Sequence, residues 1–573
     1  MNEHEMAAYR RWLRHAGEDE AVMEELKSLA NNETALSGRF SADLSFGTSG
    51  MRALMGAGSS RMNIFTVRKA TQGLASALNA RWEAPSVAIA YDSRHNSRRF
   101  AEETACVLAG NGVRAWLYPT LMPTPALSFA VRALKCKAGV MITASHNPRR
   151  YNGYKVYGAS GGQPTDKTAK SIEQFIRKTD IFADIRRVAL EAGLASGLIR
   201  YIGPEVEQAY LDAVSALGRK TDRPPRSAIV YTPLNGTGLS CVTRILAQNG
   251  FSNVTVVPEQ RDPNGDFPSC PTPNPELPAT MAAGMALGRE MGADLLIATD
   301  PDCDRIGLAV KAGADMRLLS GHEIGALMLE YICRRHTEEG TMPDRPVVVT
   351  SIVSTLMVEQ IAKRYGVLVR RVPVGFKYIG EIVTALEEKE ETERFLFGFE
   401  ESNGVLTGAH VRDKDGVNGA LTAAQMAEYY RERGMTLGCA MDELYRAYGY
   451  YQNDTDGFAF PGASGAAQMK ACMERLRAAR LQTLGDQAVE CFIDYRDGVA
   501  MHADGRMEYL NLPASNGLRI ELGGHTAVTI RLSGTEPKLK LYYAVYGQTQ
   551  AEAQAAMERL KAAVKELLNE KTE

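Results

Sequence analysis

Ala138-Gly-Val-Met-Ile-Thr-Ala-Ser-His-Asn-Pro148 is the stretch on which the reading of this chain turns. Its apolar run, Val140-Met141-Ile142, predicts a short buried strand that ends in a polar tip. Pro148 cannot donate to a strand ladder and disfavours helix at Asn147, so the chain must leave the strand as a turn. A hydroxyl (Ser145), an imidazole (His146) and an amide (Asn147) are thereby presented together where a buried strand meets solvent. A hydroxyl so placed serves as a nucleophile, a phosphate carrier or a simple turn cap. The turn by itself does not choose among these.

The surroundings read as alternating strands and helices. Residues 1 to about 40 carry the helical spacing of Met6, Tyr9, Trp12 and Leu13, then Val22, Leu26 and Leu29, which suits a packing helix pair. An amphipathic helix over 64–82 precedes a strand over 86–91. Asp92-Ser-Arg-His-Asn-Ser-Arg-Arg99 then opens a helix with capping residues and cations, and 113–118 is again a strand. This alternation predicts an α/β fold with a largely parallel sheet, in which sites form beyond the carboxyl ends of the strands, where Ser145 falls. Buried strands at 228–232, 294–299, 346–350 and 395–398 repeat the pattern with helices between. After Tyr450 the texture changes to short strands (507–512, 518–522, 527–532, 538–546) and a final helix over 550–568, an α+β arrangement. Boundaries are expected near 205, 321 and 450, giving domains 1–205, 206–321, 322–450 and 451–573. The Pro-rich loop 262–278 is long and irregular enough to suggest a role of its own.

At 573 residues the chain exceeds one hydrophobic core. Lys plus Arg number 66 against 68 Asp plus Glu, a net charge of −2, so nothing in the balance asks for nucleic acid or an anionic membrane. No apolar run approaches a membrane span, and residues 1–14 lack a signal-peptide core. The nine cysteines are scattered, with no C-x-x-C pair, which speaks against a disulfide framework or a zinc site and for a reducing cytoplasm.

Four further motifs carry chemistry. Asp300-Pro-Asp-Cys-Asp-Arg305 follows a strand, and carboxylates at alternate positions can converge on one hard cation. An EF-hand is excluded, because its sixth and twelfth positions are Arg305 and Lys311 rather than Gly and Glu. Gly398-Phe-Glu-Glu-Ser-Asn-Gly404 suits hydrogen bonding to vicinal sugar hydroxyls, or equally an exposed turn. Arg531-Leu-Ser-Gly-Thr-Glu-Pro-Lys538 has the composition of an oxyanion nest. Phe46-Gly-Thr-Ser-Gly-Met-Arg52 suits a loop approaching an anion, or a flexible turn. Gly158-Ala-Ser-Gly-Gly162 satisfies G-x-S-x-G, but Gln163-Pro-Thr-Asp166 delays the next helix, so it is read as a loop. No Walker A loop or complete G-x-G-x-x-G occurs.

Together these motifs resemble the α-D-phosphohexomutase superfamily, and most nearly the phosphoglucomutases and phosphomannomutases of its larger bacterial branch. The resemblance implies four domains, three related α/β units with mixed sheets plus a smaller C-terminal α+β domain, around a central cleft. Carried over by position, it implies that Ser145 holds a phosphoryl group and that Asp300, Asp302 and Asp304 bind Mg²⁺ together with it. Arg305 would contact the phosphoserine and His146 would support the loop. Arg52 and Lys155, the latter in Asn152-Gly-Tyr-Lys155, would stand near the transferring phosphate. Glu400 and Ser402 would grip the sugar hydroxyls, with Gly375, Lys377 and Lys414 as further substrate contacts. Arg531, Ser533, Gly534 and Thr535 would hold the non-reacting phosphate. Some relatives carry a histidine where Gly404 stands here. His410, in Ala409-His-Val-Arg-Asp-Lys-Asp-Gly416, better matches the phosphoglucomutase version, so Lys155 and His410 are both candidates for the general acid/base.

The implied reaction interconverts glucose 1-phosphate and glucose 6-phosphate through glucose 1,6-bisphosphate, which is also the expected activator. Mannose or pentose phosphates, a bisphosphate synthase or phosphatase, and a non-catalytic sugar-phosphate binder are the alternatives. A hexose phosphate is the expected partner, with neither nucleic acid nor membrane, and a monomer or homodimer in the cytoplasm.

Overall fold

The computed structural model describes residues 2–47, 50–219, 223–461, 464–532 and 538–569. The chain forms two compact units, one of Met1–Leu319, Ile379–Thr392 and Asn403–Leu437, the other of Ser320–Tyr378, Glu393–Ser402 and Gly438–Glu573.

In the first unit, β1 (Gly50–Leu54), β2 (Ser86–Tyr91), β3 (Arg114–Leu117), β4 (Ala138–Ile142), β5 (Tyr151–Gly158) and β6 (Ile199–Tyr201) build a sheet ordered β1-β5-β4-β2-β3-β6. Strands β4, β2, β3 and β6 run parallel. The sheet is thus largely parallel but mixed, as the resemblance implies, because β5 returns antiparallel to β4 and β1 antiparallel to β5. The connection from β4 to β5 is too short for a crossover helix, so only a reversal is open to it. That reversal sets Lys155 opposite Met141 and next to Gly50.

All five residues of β4 are buried. The helices Ile64–Asn79 and Ser97–Gly110 contribute Leu74, Leu78, Phe100 and Leu108 to the same core as Val140 and Ile142. The first of these ends three residues before the expected Trp82. The helix Thr124–Ala133 approaches β4 at Gly139, where a Cβ would lie 2.6 Å from a Val131 methyl. A glycine is therefore required there.

A second sheet of the same unit runs β11-β10-β9-β7-β8, from β7 (Ile229–Thr232), β8 (Val254–Val256), β9 (Leu295–Thr299), β10 (Ile306–Ala312) and β11 (Asp315–Leu318). The reversal between β9 and β10 is the acidic turn 300–305. The buried helix Gly416–Glu432 braces it, its first amide donating to the Cys303 carbonyl at 3.0 Å.

The second unit holds three parallel strands, β12 (Val347–Ser351), β13 (Leu368–Val372) and β14 (Phe395–Phe399), in the order β13-β12-β14. Its C-terminal part is an eight-stranded antiparallel sheet closed by the helix Gln550–Asn569. The reading of four strands missed Tyr450–Ala459, Gln487–Asp494 and Val499–His502 among others. Tyr450–Ala459 is rich in Asn, Asp and Thr and mostly solvated, and only Tyr451 is buried, so no alternating pattern marks it as a strand. Among the described residues no helix is long and apolar enough to cross a membrane.

Candidate active site

Ser145 itself is buried, the turn opens toward solvent through the half-buried His146, Asn147 and Pro148, and Ser145 sits in the left-handed region at φ 51°. Holding a serine there costs on the order of 1–2 kcal/mol, so surrounding bonds must fix it. Thr143 Oγ1 accepts the Ser145 amide at 2.8 Å and donates to Asp92 Oδ2 at 2.6 Å. Asp92 Oδ1 in turn accepts the Ser97 hydroxyl at 2.6 Å and the Arg94 amide at 2.9 Å. The Arg94 guanidinium, wholly buried, donates to the carbonyls of Ser145 (2.5 Å), Asn147 (2.5 Å), Pro148 (3.0 Å) and Tyr151 (3.2 Å). Sequence reading missed Arg94 and took 92–99 as a capping stretch. Asn96, at φ 64°, in fact makes no side-chain cap.

Facing Ser145, the acidic turn gathers three buried carboxylates whose ligand atoms all lie within 4.8 Å of one another. Asp300 Oδ2 accepts the Ser145 hydroxyl at 2.7 Å, and its Oδ1 accepts the amides of Asp304 (3.1 Å) and Arg305 (3.0 Å). Asp302 Oδ2 accepts Lys155 Nζ at 2.7 Å and the Thr124 hydroxyl at 3.0 Å. Asp304 Oδ2 lies 3.4 Å from Lys155 Nζ and 3.2 Å from Lys414 Nζ. Asp302 Oδ1 and Asp304 Oδ1 are buried without a hydrogen-bond partner.

Burial, with Asp302 and Asp304 adding their repulsion, pushes the Asp300 carboxyl far up. Burial works against charge on Asp302 too, yet Lys155 and then Lys414 hold it below the usual range. Lys155 is likewise desolvated, but Asp302 and Asp304 raise it above an ordinary lysine and keep it cationic. His146 Nδ1 stands 3.4 Å from Ser145 Oγ. Burial, then Arg305 and Arg52, drive that imidazole well below its normal value, so it is neutral. The exposed Arg52 donates to Asn147 Oδ1 at 2.7 Å.

Sequence-predicted residues of the first unit thus meet in one cluster, comprising Ser145, His146, Arg52, Lys155, Asp300, Asp302, Asp304, Arg305 and Lys414. His410 pairs instead with Asp415, the residue after Lys414 in the chain. Its Nε2 lies 2.8 Å from Asp415 Oδ2, and its ring stacks on Tyr210, whose hydroxyl donates to Asp415 Oδ1 at 2.9 Å. Asp415 also caps the helix Gly416–Glu432.

In the second unit, Glu400 Oε1 accepts the Gly375 amide at 2.7 Å, with Gly375 at φ 128°, where glycine is favoured. Glu401, the second of the adjacent carboxylates in that motif, accepts the Ser351 hydroxyl at 2.6 Å. Arg371 ties the same loop, donating to the carbonyls of Ser351 (2.8 Å), Ser354 (3.0 Å) and Thr355 (3.0 Å). Lys377 is buried with its ammonium 4.8 Å from the Tyr378 ring. Ser402 is half-buried on the turn after Glu400. Burial, then Glu401, pushes the Tyr542 hydroxyl up to about 12 against the lowering effect of Arg531. Ser533, Gly534 and Thr535 lie outside the described residues.

A serine held over a carboxylate triad, on two α/β sheets followed by a third and a β-rich C-terminal part, defines the class of the α-D-phosphohexomutases. Within it, the chain belongs to the phosphoglucomutase/phosphomannomutase family, whose models for α/β/α domains I, II and III match residues 43–181, 208–313 and 320–448. A phosphoglucomutase of Staphylococcus saprophyticus is 34% identical over 93% of this chain and 96% of its own length. A phosphoglucomutase/phosphomannomutase family protein of Burkholderia thailandensis shares the fold at TM-score 0.67 and 17% identity, over 92% of this chain and 98% of its own. Parafusin of Paramecium, a phosphoglucomutase in its open form, does so at TM-score 0.66 and 16% identity, over 92% and 96%.

Proposed function

We infer that the protein is a phosphoglucomutase, converting α-D-glucose 1-phosphate and glucose 6-phosphate into one another through a phosphoserine at 145. The observation that carries the chemistry is the Ser145 hydroxyl, held at 2.7 Å by Asp300 beside Lys155 and the other two carboxylates. The relatives' activity supplies the sugar.

In the first half-reaction the phosphoserine gives its phosphoryl group to the free hydroxyl of a hexose monophosphate. The P–Oγ bond breaks, a P–O bond to the sugar forms, and the hydroxyl proton leaves to a base. The resulting glucose 1,6-bisphosphate turns over and returns its other phosphoryl group to Ser145. Lys155, cationic among its carboxylates, suits neutralisation of the phosphoryl charge. His410, oriented through Nε2 by Asp415, would serve as the proton-handling partner, with Lys155 the other candidate. Glu400, Ser402, Gly375, Lys377 and Lys414 would grip the sugar, and Arg531 with Ser533, Gly534 and Thr535 the non-reacting phosphate. Contacts to hydroxyls and phosphate, rather than to one carbon skeleton, permit both orientations of the intermediate. Domains at 1–205, 206–321, 322–450 and 451–573 would each supply one motif.

A hard divalent cation such as Mg²⁺ fits the triad, because two buried carboxylate oxygens lack partners and three like charges converge. Asp300, Asp302 and Asp304 would hold it, and when bound it neutralises part of the phosphoserine charge. Phosphorus NMR with glucose 1-phosphate, Mg²⁺ and a trace of bisphosphate tests the reading. Glucose 6-phosphate without free phosphate is expected, faster than any mannose interconversion, and Ser145→Ala should lower the rate by at least about a thousandfold. Full activity in that variant would sink the reading.

A further inference from the structure

The Pro-rich loop 262–278 touches both halves of the first-unit site. On the serine side, the buried Phe267 ring lies 5.0 Å under the Arg94 guanidinium, and Asp266 Oδ1 is 3.0 Å from His95 Nε2. On the carboxylate side, Pro275 packs so closely on Gly307 that a Cβ there would come within 2.7 Å of it. One residue on, Glu276 Oε1 accepts Arg305 Nη1 at 3.0 Å, while Arg305 Nε stays 3.8 Å from Asp304 Oδ1. The Asn274 side chain accepts the Glu276 amide at 3.1 Å and so fixes where that carboxylate starts. The arginine expected on the phosphoserine therefore holds a carboxylate while Ser145 carries only a hydroxyl.

We propose that Glu276 is an exchangeable partner of Arg305, holding its guanidinium when Ser145 is bare and yielding it when Ser145 is phosphorylated. This rests on the phosphoserine reading above. A phosphoryl group brings about −1.5 to −2 charge and three acceptor oxygens, and so outcompetes a single carboxylate for the planar fork. The Glu276 side chain is 36% exposed, so water takes it back at little cost. Glu276 is thus a positioning residue. By offsetting part of the attraction between Arg305 and the phosphoryl group, it keeps the phosphoserine from becoming too stable to donate in both half-reactions.

The test is the phosphoryl-exchange equilibrium of the full chain, read as the phosphorylated fraction by intact mass at fixed ratios of glucose 1,6-bisphosphate to glucose monophosphate. In that exchange a P–O bond to the sugar breaks, the P–Oγ bond forms, and the serine proton passes to the departing sugar oxygen. Glu276→Gln and Glu276→Ala should each move the equilibrium toward phospho-enzyme by about threefold or more, with unfolding temperatures unchanged. Arg305→Met should move it the other way. An unmoved equilibrium in both Glu276 variants, or a shift toward bare enzyme, overturns the exchange. So does an unmoved equilibrium in Arg305→Met, while the phosphoserine reading survives. A wild-type Ser145 that never takes up phosphoryl overturns that reading and the exchange with it.

Discussion

At Arg94 one guanidinium satisfies four main-chain carbonyls of the turn that carries Ser145, and Asp92 is the carboxylate beside it, 3.3 Å from Nε. Replacing that cation by Arg94→Met would leave a buried carboxylate without its cation and take a donor from four carbonyls at once, of which Pro148's keeps the Tyr151 amide. Denaturant unfolding should show a loss of about 3–5 kcal/mol. Arg94→Lys should recover only part of it, since one ammonium cannot reach carbonyls spread around a fork. Equal stability in all three proteins would refute the clamp. Arg94 also shows where sequence reading stops. Three of its four acceptors are carbonyls 51 to 54 positions away, and a carbonyl carries no residue identity for a motif to display. Ser145 and the three aspartates were legible because their chemistry lies in their own side chains, packed into short contiguous runs.

Among the elements, the buried strands were legible from unbroken apolar runs such as Leu295–Thr299, whose residues are all buried. Tyr151–Gly158 was not, although its six central residues are buried, because Asn152, Gly153, Tyr154 and Lys155 look like a loop until their partners are known. The N-terminus of the helix Gly321–Glu339 supplies a prediction of this scale. His322 Nδ1 accepts the Thr355 amide at 3.1 Å, and burial, then Arg371, lowers the imidazole to about 4. The folded state therefore resists a proton that the unfolded chain accepts at about 6.5. The stabilisation is whole above that value and is lost as pH falls toward 4, by up to about 3 kcal/mol. His322→Asn, which keeps an acceptor near Nδ1 but does not titrate, should flatten the fall in unfolding temperature between pH 7 and pH 4.5. An unchanged slope would count against it.

For the whole molecule, local pattern reports elements and not what they pack on. The first unit draws residues 379–392 and 403–437 from far along the chain, and these bring Asp413, Lys414 and Asp415 to the acidic turn and its neighbours. The near-neutral chain, with 66 cations against 68 anions, hides a local excess of buried carboxylate that only the assembled unit creates. A cation binding the folded triad and not the unfolded chain must stabilise the fold, by about 2.7 kcal/mol at a hundred times its dissociation constant. Calorimetric scans in Mg²⁺ against a chelator should thus raise the unfolding temperature by about 3–6 °C. Asp300 is the member whose charge is most disfavoured by burial and its neighbours, so Asp300→Asn takes that charge away while its oxygen still accepts the Asp304 and Arg305 amides and its NH2 can donate to Ser145 Oγ. In chelator that variant should unfold at or above the wild-type temperature, and Mg²⁺ should then leave it unmoved. A variant that melts early in chelator, or still gains from Mg²⁺, would show that the triad is held by its own hydrogen bonds and not completed by a cation.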